Sequence, residues 1–115
     1  MQIKTEQWKN WIQISLGGQF VVRNLTSVRP VLESAESRDI PLVALDLEGC
    51  THLDSSAISL IVNHYKKLLA KGGKLVIFGA NTDIKEILSI VGLDRLVPVF
   101  STKEEFKKAN DNVES

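Results

Sequence analysis

Cysteine is nearly absent from this chain: Cys50 stands alone among 115 residues. A lone thiol closes no internal disulfide, and one cysteine with two histidines is too small a set for a convincing metal site. Net charge is absent too, with 14 basic residues against 14 acidic ones. No segment gathers Lys and Arg into a run, so the footprint of a nucleic-acid-binding or anionic-lipid-binding domain is missing. No apolar stretch approaches the ~20 residues that span a bilayer. Met1-Gln2-Ile3-Lys4-Thr5-Glu6 lacks the basic flank and apolar core of a signal peptide. Repeats, linkers and low-complexity segments are missing as well. Together these absences predict a soluble, cytoplasmic protein with no membrane span and no nucleic-acid partner.

What is present is an ordinary globular mixture, 43% hydrophobic and 24% charged. The length predicts one domain over residues 1–110, followed by a polar tail, 111–115. Size scaling has such a domain bury roughly two-thirds of its unfolded surface, enough for a core without staples.

The first 22 residues read as β structure. Ile3 and Thr5 alternate with polar neighbours, Lys9-Asn10 suits a turn between Trp8 and Trp11, and Ile12, Ile14 and Leu16 alternate with Gln13 and Ser15. Gly17-Gly18 breaks or bulges that strand, and Phe20-Val21-Val22 extends it. A helix is predicted from Ser27 to about Ser37, capped by Thr26 or Ser27, with Pro30 in its first turn and Val28, Val31, Leu32 and Ala35 inward. Leu42 to Leu47 is a buried strand. A loop from Glu48 to Asp54 leads to a second helix starting near Ser56, with Ile58, Ile61, Val62, Tyr65, Leu68 and Leu69 inward and Gly72-Gly73 as its stop.

Leu75 to Phe78 is the next buried strand. Asn81 or Thr82 caps a third helix with Ile84, Ile87, Leu88 and Val91 inward, closed by Gly92. Leu96 to Phe100 reads as a short edge strand, because Pro98 donates no ladder bond. Ser101-Thr102-Lys103-Glu104 fits a capping box opening a last helix around Phe106. Strands alternating with helices predict an α/β fold: a mixed, mainly parallel sheet of about five strands, about four helices and an N-terminal β-hairpin. With so few helices, one sheet face needs another cover, to which the hairpin's tryptophans can contribute.

The stretch that carries information is Leu53-Asp54-Ser55-Ser56-Ala57, between the C-terminal end of a buried strand and a helix start. Ligands and partners of α/β sheets gather at this edge. Ser55 is placed as the N-cap, and ordinary capping explains these residues on their own. Other constellations are poorer. Cys50 and His52 flank Thr51 but lack an orienting acid and an oxyanion site. Lys71-Gly72-Gly73-Lys74 lacks P-loop spacing and precedes a strand. No cofactor is expected. Leu60 and His64 share a stripe off the helix's inner face and extend a surface beside Ser55.

Strand, Asp-Ser-Ser, helix, Gly-Gly and strand together resemble the STAS domain of bacterial anti-sigma factor antagonists, over nearly the whole chain. Leu42 to Leu47 resembles the family's central strand, Asp54-Ser55-Ser56 its phosphorylation motif, Gly72-Gly73-Lys74-Leu75 its next turn and strand, and Ile87 to Leu93 its third helix and exit. The resemblance implies a binding module rather than an enzyme. Its partners would be an anti-sigma factor serine kinase, captured while Ser55 is unmodified and released when Ser55 is phosphorylated, and a serine phosphatase for reset. The partner surface would comprise Asp54, Ser55, Ser56, Ala57, Leu60 and His64. Two departures stand out: Ala57 where the family usually has Gly, with its methyl on the docking surface, and no acid in Gly18-Gln19-Phe20-Val21-Val22. The same resemblance admits a constitutive scaffold or transport-complex subunit in which Ser55 is only a cap.

Overall fold

The computed structural model describes residues 1–111. Strand β1 (Gln2–Trp8) turns back at Lys9-Asn10 and pairs antiparallel with β2 (Trp11–Phe20), in the register Trp8 to Trp11 and Gln2 to Gly17. Helix α1 (Leu25–Glu36), β3 (Leu42–Asp46), β4 (Cys50–Leu53), α2 (Ser55–Ala70), β5 (Lys74–Phe78), α3 (Thr82–Ile90), β6 (Val99–Phe100) and α4 (Lys103–Asn110) follow. The sheet runs β1-β2-β3-β5-β6, parallel after the first pair, and β4 pairs with the far end of β2. Six strands and four helices with an opening hairpin match the expected α/β plan.

Alternation along the strands fills two layers. Ile14, Leu16, Val43, Leu45, Leu75 and Ile77 face α1, α2 and α3 and join Val28, Leu32, Ile61, Leu68, Ile84 and Leu88 in the main core. On the other face Trp11, Ala44, Val76 and Phe78 meet Phe106 of α4, with Trp8 and Phe100 at the margin. The Phe106 ring stands edge-on to Trp11 at 5.2 Å and stacks on Phe78 at 5.4 Å. The tryptophans do help cover the second face, around a phenylalanine at its centre.

Several local expectations are corrected. Of the two outcomes expected at Gly17-Gly18, β2 does not break but bulges, its register shifting between Gly18 and Gln19 beside the positive φ of Gly18, and it ends at Phe20, short of Val22. The chain then tightens into a 3-10 turn at Val22–Asn24, which nucleates α1 at Leu25 with no side-chain cap. Thr26 and Ser27 therefore lie inside α1, and Pro30 falls beyond the first turn, where it withholds an amide from the helical ladder. The segment expected as a loop contains β4, four residues long. Only Val99–Phe100 of the last strand pairs, with the Pro98 carbonyl accepting the Ile77 N–H at 2.9 Å. The capping box sits one residue later than expected. Thr102 Oγ1 accepts the Glu105 N–H (3.1 Å), and Glu105 reaches back to the Ser101 N–H (2.9 Å). Asn81 caps α3 as expected, through Oδ1 to the Ile84 N–H at 2.8 Å. Val91 is half exposed, off the inward face expected for it.

Gly72, with φ +73, provides the left-handed residue after α2, and a Cβ on Gly73 would collide with the Pro41 carbonyl. Of the expected polar tail, Asp111 pairs with Lys9 (2.6 Å), and 112–115 lie outside the described residues.

Candidate functional site

The start of α2 is built by Asp54 rather than by Ser55. Asp54 is the N-cap, in extended conformation, and its Oδ1 accepts the Ala57 N–H at 2.9 Å. Its Oδ2 accepts the Val22 N–H at 2.9 Å, tying the turn after β2 to the helix. The Ile58 N–H closes the first helical bond to the Asp54 carbonyl at 3.0 Å. The Ala57 amide, helped by Val22, holds the Asp54 carboxyl below its ordinary range against the opposing effect of desolvation. Asp54 is therefore ionised at neutral pH and fixed at both oxygens.

Ser55 is displaced from the expected cap to the first helical position, where it is exposed. Its hydroxyl takes no part in the cap. Ser56 is half-buried behind it, and Ser59 is exposed one turn on. The remaining residues expected on this surface are not there. Ala57 is wholly buried, so its methyl packs into the core and is absent from any docking face. Leu60 and His64 are buried as well, at 7% and 1% exposure, in the seam between α1 and α2. That seam turns the inward stripe of α2 to Ala57, Leu60, Ile61, His64 and Leu68, leaving Leu69 more than half exposed. The cause lies on α1. Glu36 Oε2 meets His64 Nδ1 at 2.5 Å, and Lys67 of α2 and Lys71 just past its end also reach Glu36, at its carboxylate (3.7 Å) and its carbonyl (2.8 Å). Burial pushes the His64 pKa down from 6.5, with Glu36 opposing. The imidazole is thus neutral, with Nδ1–H donating to Glu36.

Sequence reasoning missed Val22. It is 62% exposed and is joined to the site by the bond from its amide to Asp54. The apolar Phe20-Val21-Val22 run reads as more strand, which hides it. Arg23, next in the chain, bonds Gln19, so its charge stays at the rim of the same edge. Cys50 and His52 do not converge. Cys50 is buried with Sγ toward the His52 carbonyl (3.3 Å), burial pushes its thiol pKa up, and the exposed His52 ring meets Thr51 Oγ1 at 3.0 Å. Among the described residues, no group of three or more His, Cys, Asp or Glu is placed to hold a metal ion.

An exposed serine at a helix start, capped by its neighbour, on the C-terminal edge of a mainly parallel sheet, sets the frame for comparison. The STAS domain family matches residues 2–106. The chain belongs to the STAS domain family. Its curated relatives include the anti-sigma F factor antagonist of Paenibacillus polymyxa, 24% identical over 104 residues that span 90% of this chain and 89% of that one. Among solved structures, this STAS domain is similar to an anti-sigma factor antagonist from Mycobacterium paratuberculosis, with TM-score 0.85, 17% identity, and coverage of 94% and 92%. It is also similar to the SulP transporter STAS domain of Vibrio cholerae, with TM-score 0.73, 22% identity, and coverage of 87% and 80%. Among the described residues, no helix is long and apolar enough to cross a membrane.

Proposed function

We propose that this STAS domain is an anti-sigma factor antagonist, a cytoplasmic binding module of residues 1–110 that is switched by phosphorylation of Ser55. The observation that carries the reading is the division of labour at the start of α2: Asp54 performs the capping, and the neighbouring hydroxyl is exposed and unused by the fold. Relatives that are themselves anti-sigma factor antagonists, at low identity, support it. The partner is a serine kinase that is itself the anti-sigma factor, and a serine phosphatase resets the switch. The domain supplies an acceptor hydroxyl and no catalytic groups of its own.

The electrostatics suit such a switch. A phosphate on Ser55 adds about −1.5 to −2 charges at neutral pH. The helix N-terminus tolerates an anion through its free amides and dipole, so the fold persists while the surface becomes strongly acidic beside ionised Asp54. A partner that had covered a neutral Ser55 must then dehydrate that charge or let go.

A second reading is favoured by the likeness to a SulP transporter STAS domain: a constitutive scaffold or transport-complex subunit with no phosphorylation. Intact-mass measurement separates the two. Incubation with ATP, Mg²⁺ and each purified serine-kinase anti-sigma factor of the source organism should add one phosphate, mapped to Ser55. An unmodified mass with every kinase favours the scaffold, and a phosphate mapped to Ser56 or Thr51 overturns the site assignment.

A further inference from the structure

Among the described residues the sheet ends at β1. Among the described residues β1 pairs with β2 alone, so one side of a seven-residue strand has no partner. The backbone parity of that side can be read from β2. Gly18 donates its N–H to Gly49, on the β4 side, so in the alternation of a strand Trp11, Gln13, Ser15 and Gly17 turn their backbone groups to β1. Their partners Trp8, Glu6, Lys4 and Gln2 are therefore bonded inward. Ile3, Thr5 and Gln7 present N–H and C=O outward, a short template for another strand.

Charged side chains on an edge strand ordinarily discourage pairing. Here the charges are matched to each other. Lys4 and Glu6 lie on one face of β1, the face of α4, since Lys103 of α4 reaches Glu6 at 3.9 Å. They flank Thr5 symmetrically. A second β1 laid antiparallel about a two-fold axis through Thr5 puts Thr5 opposite Thr5, Ile3 opposite Gln7, and Lys4 opposite Glu6, twice. Every outward-bonding residue then faces another, and the two charge pairs occupy the close, non-hydrogen-bonded positions of the ladder. Shifting either strand by two residues sets Lys4 against Lys4 or Glu6 against Glu6 and shortens the overlap. The charge pattern thus selects the one register that pairs all seven residues of both strands.

We propose that this chain self-associates as a two-fold dimer through β1, with the partner strand supplied by a second copy, joining two sheets into one. The axis is perpendicular to the sheet, so both α4 helices lie on one face and the two Ser55 edges point in opposite directions. The dimer carries two Ser55 sites, one on each copy. This inference does not depend on what binds there.

Sedimentation equilibrium on the full chain, from micromolar to millimolar concentration, tests it. The mass should rise from 12.8 kDa toward twice that value. Lys4→Glu replaces both attractions by repulsions and should weaken association about tenfold or more. The double variant Lys4→Glu with Glu6→Lys restores the pairing with signs exchanged and should recover the dimer. Thr5→Pro deletes an outward N–H without touching the β1–β2 ladder and should leave a monomer with a normal circular dichroism melt. A wild-type chain that stays at 12.8 kDa throughout overturns the proposal and makes the charges a guard on the edge. A dimer indifferent to Lys4→Glu, or one the double variant fails to restore, overturns the β1 register.

Discussion

The first turn of α2 and the turns that follow it use polar side chains in opposite ways. At the start, one carboxylate satisfies the amides of Ala57 and Val22, and the adjacent Ser55 hydroxyl is left to solvent. Two turns on, His64 is polar yet buried, because Glu36 of α1 offers it an acceptor, and Leu60 closes the same seam. The first region can be modified without unpacking anything. The second cannot change without cost to the α1–α2 contact. A helix can therefore carry a switch at one end when the fold consumes only the residue beside it, and exposure follows from available partners rather than from residue type.

Replacing Leu60 breaks the contrast from the packed side. Leu60→Ala should cost about 2–5 kcal/mol of stability, the range for a buried leucine, and should leave partner affinity of the folded fraction unchanged. Denaturant unfolding measures the first and calorimetric titration the second. A surface role would give the reverse pattern. Asp54→Ala should cost about 1–2 kcal/mol by removing the cap, and Asp54→Asn should recover only part of that loss, because its one carbonyl can serve Ala57 while its NH2 faces the Val22 N–H. Thermal melts of the pair separate the cap from the Val22 bond.

The seam should also respond to pH. Folding depresses the His64 pKa below its ordinary 6.5, so the folded protein holds fewer protons there than the unfolded chain once pH falls below that value. Stability should thus decline as pH drops from neutrality through the ordinary histidine range toward the lower folded-state value. His64→Gln keeps a donor for Glu36 without a titrating ring and should flatten that part of the profile. Melts at a series of pH values in matched salt check the slope, and a profile unchanged by the variant would place the titration elsewhere.

The strand and helix order was legible because buried strands announce themselves as apolar runs between turn residues, as Leu42 to Leu47 does after Pro41 and before Gly49, and Leu75 to Phe78 does between Gly73 and Gly79. The short β4 was not, since Thr51 and His52 are exposed in the middle of four residues and leave no apolar pattern. The start of α1 was misplaced because a backbone turn at Val22–Asn24 nucleates it without the polar cap that sequence reading looks for. At the site, the serine pair and its acid stood out as a motif. Which of them caps was not readable, because Asp54 and Ser55 are both good caps and the choice rests on a long-range bond to Val22. Leu60 and His64 were misread as surface for a similar reason: the acceptor that permits His64 to be buried sits on another helix.

The central claim, that Ser55 switches binding by charge while the fold ignores it, is tested most directly by titration calorimetry of Ser55→Asp and Ser55→Ala against the serine-kinase anti-sigma factor that binds the wild type. Melts of both variants should lie within about 0.5–1 kcal/mol of wild type, because Asp54 is the cap and an added acid suits a helix N-terminus. Ser55→Asp should weaken binding by about 2–5 kcal/mol, roughly 30-fold or more, through a charge the partner must dehydrate beside Asp54. Ser55→Ala should bind like the wild type. Tight binding by Ser55→Asp together with lost binding by Ser55→Ala would contradict the account and make the hydroxyl itself the contact.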